Sequence, residues 1–156
     1  METMELPKLD LPATIEDSVN IPESFRGKWT VLYFYPKDST PGCTVQACEY
    51  RDNLEKFSEK DIAVYGVSLD DLHSHYNFES NHSISFPLLC DEKRVLSKAL
   101  GVLKEARKDG KKSYSLSRDT FLLNPHVQVV KVWRGVDPKT TVQETFDAAC
   151  AFISEA

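Results

Sequence analysis

Apolar positions along the chain fall into short strand-like runs that alternate with stretches of helical period. Thr30-Val31-Leu32-Tyr33-Phe34-Tyr35 is β-branched and aromatic, the pattern of a buried strand. Pro36 to Gly42 is a loop by composition. From Cys43 the period changes: Cys43, Ala47, Tyr50, Leu54 and Phe57 recur at steps of three or four and share one helix face. Ile62 to Ser68 is a second buried strand, and Asp70-Asp71 can cap a helix running to about His82. Phe86-Pro87-Leu88-Leu89 is strand-like, with Asp91 placed to cap a helix over Glu92 to Leu100. Thr120 to Leu123 and Val127 to Trp133, separated by Asn124-Pro125-His126, predict an antiparallel hairpin. A last helix from about Thr140 to Ser154 sets Val142, Phe146, Ala149, Cys150 and Ile153 on one face. Residues 1–29, interrupted by Pro7, Pro12 and Pro22, read as an irregular lead-in or a small edge hairpin.

The order β-α-β-α-β-α-β-β-α predicts an α/β domain over residues 1–156, with a central mixed sheet and helices on both faces. Charge narrows the partners. With 19 Lys and Arg against 24 Asp and Glu the net charge is −5, which argues against a nucleic-acid surface. The basic cluster over residues 104–112 is interleaved with Glu105, Asp109 and Gly110 and reads as a solvated loop. Met1 to Pro7 has no basic segment followed by an apolar one, so no signal peptide is expected. No run approaches the roughly 18 apolar residues that span a bilayer. The expected location is therefore the cytoplasm, where cysteines are more often catalytic, metal-binding or buried than paired in structural disulfides.

Chemistry concentrates at Cys43. It is expected in the first turn of a helix that follows a strand, where unpaired N–H groups and the positive end of the helix dipole stabilise an anion. A thiol there ionises more readily than a free one, and the thiolate is the reactive species. Cys48 follows at a spacing that suits an intact helix badly. Five residues advance about 7.5 Å and turn about 140°, leaving the two Cα atoms roughly 8.6 Å apart. A disulfide needs less than about 7 Å, so pairing requires the first turns to unwind. The competing reading of Cys48 is a small buried residue. Zinc is disfavoured, because the spacing is not C-x-x-C and no second Cys/His pair has ligand spacing. His73, His75, His82 and His126 read as ordinary surface or half-buried side chains, and Cys90 and Cys150 as core packing.

The block Tyr33-Phe34-Tyr35-Pro36-Lys37-Asp38-Ser39-Thr40-Pro41-Gly42-Cys43-Thr44-Val45-Gln46-Ala47-Cys48 resembles the peroxiredoxin signature, specifically that of the bacterioferritin comigratory protein (PrxQ) branch. Pro36, Thr40 and Cys43 match its Pro-x-x-x-Thr-x-x-Cys spacing, and Arg118, just before the Thr120 strand, matches its distant arginine. The resemblance extends over roughly residues 26–155. It implies a thioredoxin-like fold, no resident cofactor and no metal, and a thiol-dependent peroxidase acting on hydrogen peroxide and organic hydroperoxides. By the same resemblance Cys43 is the peroxidatic cysteine, oxidised to a sulfenic acid, and Cys48 resolves it as an intramolecular disulfide. Arg118 then stabilises the thiolate and the peroxide oxygens. Thr40 accepts from the peroxide hydroxyl while donating to sulfur, and Pro36 shields the site from water. Thioredoxin or a similar dithiol resets the disulfide, and the acting form is a monomer.

Two other readings compete. A thiol–disulfide oxidoreductase would carry C-x-x-C at this helix start, but the first position is Thr40, and no proline directly precedes the Thr120 strand. A redox-responsive binding module would use the same cysteines to change a partner surface. Slow peroxide turnover with a large oxidation-dependent change in partner affinity would distinguish it.

Overall fold

The protein is described over residues 5–155 by a computed structural model. Leu9–Pro12 (β1) and Ser18–Ile21 (β2) pair antiparallel as a small hairpin. Trp29–Phe34 (β3), Ile62–Ser68 (β4) and Leu88–Cys90 (β5) are parallel neighbours, connected through helices Pro41–Glu59 (α1) and Leu72–His82 (α2). A short helix, Val95–Ala99 (α3), precedes a second hairpin made of Leu103–Lys108 (β6) and Lys111–Leu116 (β7). Thr120–Leu123 (β8), Val129–Trp133 (β9) and the helix Thr141–Glu155 (α4) complete the chain. The central sheet runs β5-β4-β3-β8-β9, with β8 antiparallel to β3 and β9 antiparallel to β8. The expected mixed sheet flanked by helices is what forms.

Period-two alternation along β3 splits the core into two halves. Val31, Tyr33 and Tyr35 pack with Cys43, Ala47, Tyr50 and Phe57 of α1, Phe78 of α2, and Val142 and Ala149 of α4. Leu32 and Phe34 face the other way, onto β1, β2 and Leu96 of α3. The three longer helices thus share one face, and hairpin and short helix cover the other. This layering buries the start of α1 against the sheet centre. No helix among the described residues is long and apolar enough to cross a membrane.

Several boundaries differ from the sequence reading. Residues 104–112 are not a loop: β6 and β7 pair across Asp109-Gly110, whose positive φ values of 54° and 77° make a tight hairpin turn. The helix expected over Glu92 to Leu100 is confined to Val95–Ala99, because the Asp91 carboxylate accepts from the N–H groups of Leu96 (3.3 Å) and Ser97 (2.7 Å). β9 starts at Val129, since the Asn124 side chain accepts from the N–H groups of His126 and Gln128 (both 3.0 Å) and lengthens the turn. The lead-in does form a hairpin, although residues 1–4 lie outside the described range. Cys150 is only half-buried and stands apart from the core that Val142 and Ala149 join. One position past Ala149, it is turned about 100° off the packed stripe.

Candidate active site

Cys43 lies in the first turn of α1, as the change of period at Cys43 predicts. Thr40 is the N-cap, in an extended conformation, and Pro41 opens the helix, where its missing N–H costs nothing. The N–H of Thr44 closes the first turn on the Thr40 carbonyl at 2.9 Å. Cys43 is 1% exposed, in contact with the core that contains Tyr33 and Tyr35.

Arg118, in the segment before β8, donates from Nη2 to Cys43 Sγ at 3.4 Å and from Nη1 to Gln46 Oε1 at 2.9 Å. Its planar fork therefore bridges two successive turns of α1. Gly42 makes room for it: a Cβ there would stand 3.0 Å from Nη2. The backbone beside Arg118 is held from several sides. Phe34 of β3 donates its N–H to the Asp119 carbonyl (2.8 Å), and Val136 donates to the Arg118 carbonyl (2.8 Å). The buried Asp119 carboxylate accepts from Ser117 Oγ (2.7 Å), Arg134 Nη1 (2.8 Å) and the Gly135 N–H (2.9 Å). Burial pushes the Asp119 carboxyl up, but these donors and the Arg134 charge outweigh it and hold it below its ordinary value.

The fold brings Cys43 and Arg118 into contact and arranges the other expected residues differently. The Thr40 hydroxyl donates to the Lys37 carbonyl at 2.7 Å. Its one proton is thus engaged, which corrects the expectation that it donates to sulfur; its lone pairs can still accept. Ser39, in the left-handed region at φ 64°, lies inside this tight turn. Pro36 is half-buried at the end of the strand-to-loop transition. Cys48 is half-buried in the continuous α1, and both thiols are free. Cys90 is buried at the end of β5, as expected.

Sequence reasoning missed three groups. Gln46, fully buried, orients Arg118, and Asp119 with Arg134 secures the segment that carries it. The third correction is His75, expected at the surface or half-buried and found fully buried. Its Nδ1 lies 2.6 Å from Asp38 Oδ2 and its Nε2 lies 2.8 Å from the Leu89 carbonyl. Burial by itself would lower the His75 pKa, but the bond to Asp38, the neighbouring Cys90 and the Asp38 charge push it up to about 10. One signal was available: His75 and Phe78 are three apart in a short helix, so a buried Phe78 places His75 on the same inward face.

Asp38, Asp70 and His75 also bring potential metal-ligand atoms within 4.8 Å of one another. Most of the lone pairs there are already engaged. Asp38 accepts from Tyr35 Oη, Ser74 Oγ and His75, and Asp70 Oδ2 accepts from Ser68 Oγ and the Asp38 N–H. The cluster is built as a hydrogen-bond network and does not fit a resident ion.

The buried Cys43 sulfur thus stands at a helix N-terminus, 3.4 Å from a guanidinium. Nearby, the Tyr33 hydroxyl is fully buried without a hydrogen-bond partner. Burial first, and then the charges of Tyr50, Cys43 and Asp38, push its pKa well above the ordinary value, so it stays a neutral phenol able to donate.

The AhpC/TSA family matches residues 3–132. Peroxiredoxin Bcp of Bacillus subtilis (strain 168) is 40% identical over 138 residues, covering 88% of this chain and 87% of that protein. The bacterioferritin comigratory protein of Xanthomonas campestris, whose structures were described for alkyl peroxide reduction activity, superposes with a TM-score of 0.88 at 35% identity, covering 97% of each chain. A cysteine-to-serine mutant of Xylella fastidiosa PrxQ superposes with a TM-score of 0.86 at 29% identity, over 98% of this chain and 99% of that one. With its thioredoxin fold and its cysteine at the head of α1, the chain belongs to the AhpC/TSA family as a peroxiredoxin of the Bcp/PrxQ branch, a thiol peroxidase.

Proposed function

We propose that the protein reduces hydrogen peroxide and organic hydroperoxides at Cys43, with Cys48 as the resolving thiol and thioredoxin or a similar dithiol as reductant, residues 1–156 acting as one catalytic unit in the cytoplasm. The observation that carries this reading is the contact of Arg118 Nη2 with Cys43 Sγ at 3.4 Å, at a helix N-terminus. The thiolate attacks one peroxide oxygen. The O–O bond breaks, the leaving oxygen takes a proton to become water or an alcohol, and sulfur keeps the other oxygen as sulfenic acid. The Arg118 guanidinium offsets charge as it moves from sulfur to the leaving oxygen. Thr40 accepts from the peroxide hydroxyl, and Pro36 limits access of water. Cys48 then attacks the sulfenic sulfur, releasing water and forming the disulfide, which an external dithiol reduces by thiol exchange.

The test is peroxide-dependent NADPH oxidation through thioredoxin reductase and thioredoxin. Cys43→Ser is expected to abolish it. Cys48→Ser is expected to retain one oxidation of Cys43 and to lose coupled turnover. Full turnover in Cys48→Ser removes Cys48 from the resolving role, and turnover in Cys43→Ser overturns the whole scheme.

A further inference from the structure

The buried network around Asp38 takes no part in the redox steps above, yet it holds the loop from which α1 starts. A carbonyl oxygen only accepts, so the 2.8 Å approach to Leu89 requires a proton on His75 Nε2. Nδ1, 2.6 Å from Asp38 Oδ2, shares the other, and the ring is an imidazolium paired with a carboxylate. The His75 and Asp38 side chains are 0% and 1% exposed.

Asp38 is gripped from three elements. Tyr35, at the end of β3, donates from Oη at 2.6 Å, and Ser74 of α2 donates from Oγ at 2.9 Å, alongside His75. The main-chain N–H of Asp38 also donates to Asp70 Oδ2 at 2.8 Å, and that oxygen is held by Ser68 Oγ of β4 at 2.7 Å. Immediately afterwards the chain turns through Ser39 and Thr40 into the first turn of α1, which carries Cys43. The Thr40 side chain makes no capping bond to the helix. The start of α1 is therefore held on its upstream side by Asp38.

We propose that His75 is a positioning residue for the Cys43 reaction: by fixing Asp38 it fixes the loop that sets the sulfur against Arg118. His75 acts on the thiol through the backbone of residues 38–43. The proposal rests on the peroxidatic reading of Cys43 for its kinetic arm only.

Two variants of the full chain test it: His75→Gln, which removes the charge and one partner, and Ser74→Ala, which removes a single donor to Asp38. Two rates are measured at Cys43 in reduced protein, each corrected for the folded fraction. One is the first oxidation by hydrogen peroxide; the other is site-resolved alkylation by iodoacetamide. Both variants are expected to oxidise more slowly, by roughly tenfold or more in His75→Gln. Alkylation is expected to rise, because the buried sulfur is freed to solvent as it leaves Arg118. Opposite movement of two rates at one sulfur is a signature that uniform loss of stability does not give. Wild-type values for both rates, per folded molecule, in both variants overturn the proposal. Should His75→Gln not fold, Ser74→Ala decides by the same pair of rates. If the wild type itself is not oxidised at Cys43, the peroxidatic reading fails, and the alkylation rates still decide the positioning role.

Discussion

Gln46 holds the second arm of the Arg118 guanidinium that meets the Cys43 sulfur. The side chain is fully buried and its Oε1 accepts from Arg118 at 2.9 Å, so it orients the guanidinium without neutralising it. A carboxylate in the same place would form a charge-assisted pair and draw the cation away from Cys43. Gln46→Glu is expected to slow the first oxidation of Cys43 by about tenfold, equivalent to about 1.4 kcal/mol of barrier, readable by stopped-flow fluorescence. An unchanged rate would mean that the neutral partner has no electrostatic role. Gly42 acts on the same group by space: a methyl 3.0 Å from Nη2 must push the guanidinium outward, and Gly42→Ala is expected to slow oxidation without lowering the melting temperature by more than a few degrees. At this scale Cys43 was legible from its place at a helix start after a strand. Arg118 was legible only through the resemblance to the peroxiredoxin signature, because an Arg before a strand is by itself more often a solvated side chain. The partners that orient them were not. Gln46 and Arg118 meet across 72 positions, and periodicity carries no information about contacts of that range.

α1 is a continuous helix from Pro41 to Glu59, so Cys43 and Cys48 point to different faces and their Cα atoms lie about 8.6 Å apart by helix geometry. A disulfide between them requires the first two turns to open. The downstream limit of that opening is Tyr50, stacked on Tyr33 with centroids 4.6 Å apart and in contact with Thr145 Oγ1 at 3.2 Å. Hydrogen exchange read by mass spectrometry is expected to show protection over residues 41–48 in the reduced protein, lost on oxidation and retained from Tyr50 onward. Equal protection of 41–48 in both redox states contradicts the unwinding step. The elements themselves show what pattern reading can reach. Strands buried on one or both sides, such as β3, β4 and β8, were found because their apolar runs are dense. β6 and β7 were missed because nearly every residue from Lys104 to Ser115 is exposed, leaving no apolar alternation to detect. The turn residues Asp109-Gly110 were the available signal, and the surrounding lysines masked it.

At the scale of the whole molecule, the buried His75–Asp38 pair and the buried Asp119 carboxylate, partnered by an exposed Arg134, bracket the pH range of greatest stability from opposite sides. Asp119 is held below its ordinary value in the folded state, by donors that overcome its burial, so its contribution is present above the unfolded carboxyl pKa of about 4 and fades as pH falls through the folded value. His75 behaves in the reverse sense. Its folded pKa of about 10 lies above the ordinary 6.5, so between these values the folded state binds the extra proton. Its contribution is therefore complete below about pH 6.5 and is lost progressively as pH rises to about 10. The groups facing His75 are Asp38 from the loop, Tyr35 just after β3, Asp70 after β4 and Cys90 from β5. Tyr35 is pushed well above its ordinary range, by burial first and then by Asp38, and stays neutral through this window. The urea midpoint of the wild type is expected to fall between pH 6.5 and 10. Breaking a buried pair costs on the order of 3–5 kcal/mol, so His75→Gln should be much less stable at pH 6.5, with a gap to wild type that narrows toward pH 10. A gap that stays constant across that interval would falsify the imidazolium assignment. A ring nitrogen spectrum of His75 that is already neutral at pH 8 would do the same, without reference to any variant. This dependence could not be read from the amino-acid order. His75 looked like any helix histidine, and its charge state follows only from the carbonyl, the carboxylate and the burial that four separate elements supply.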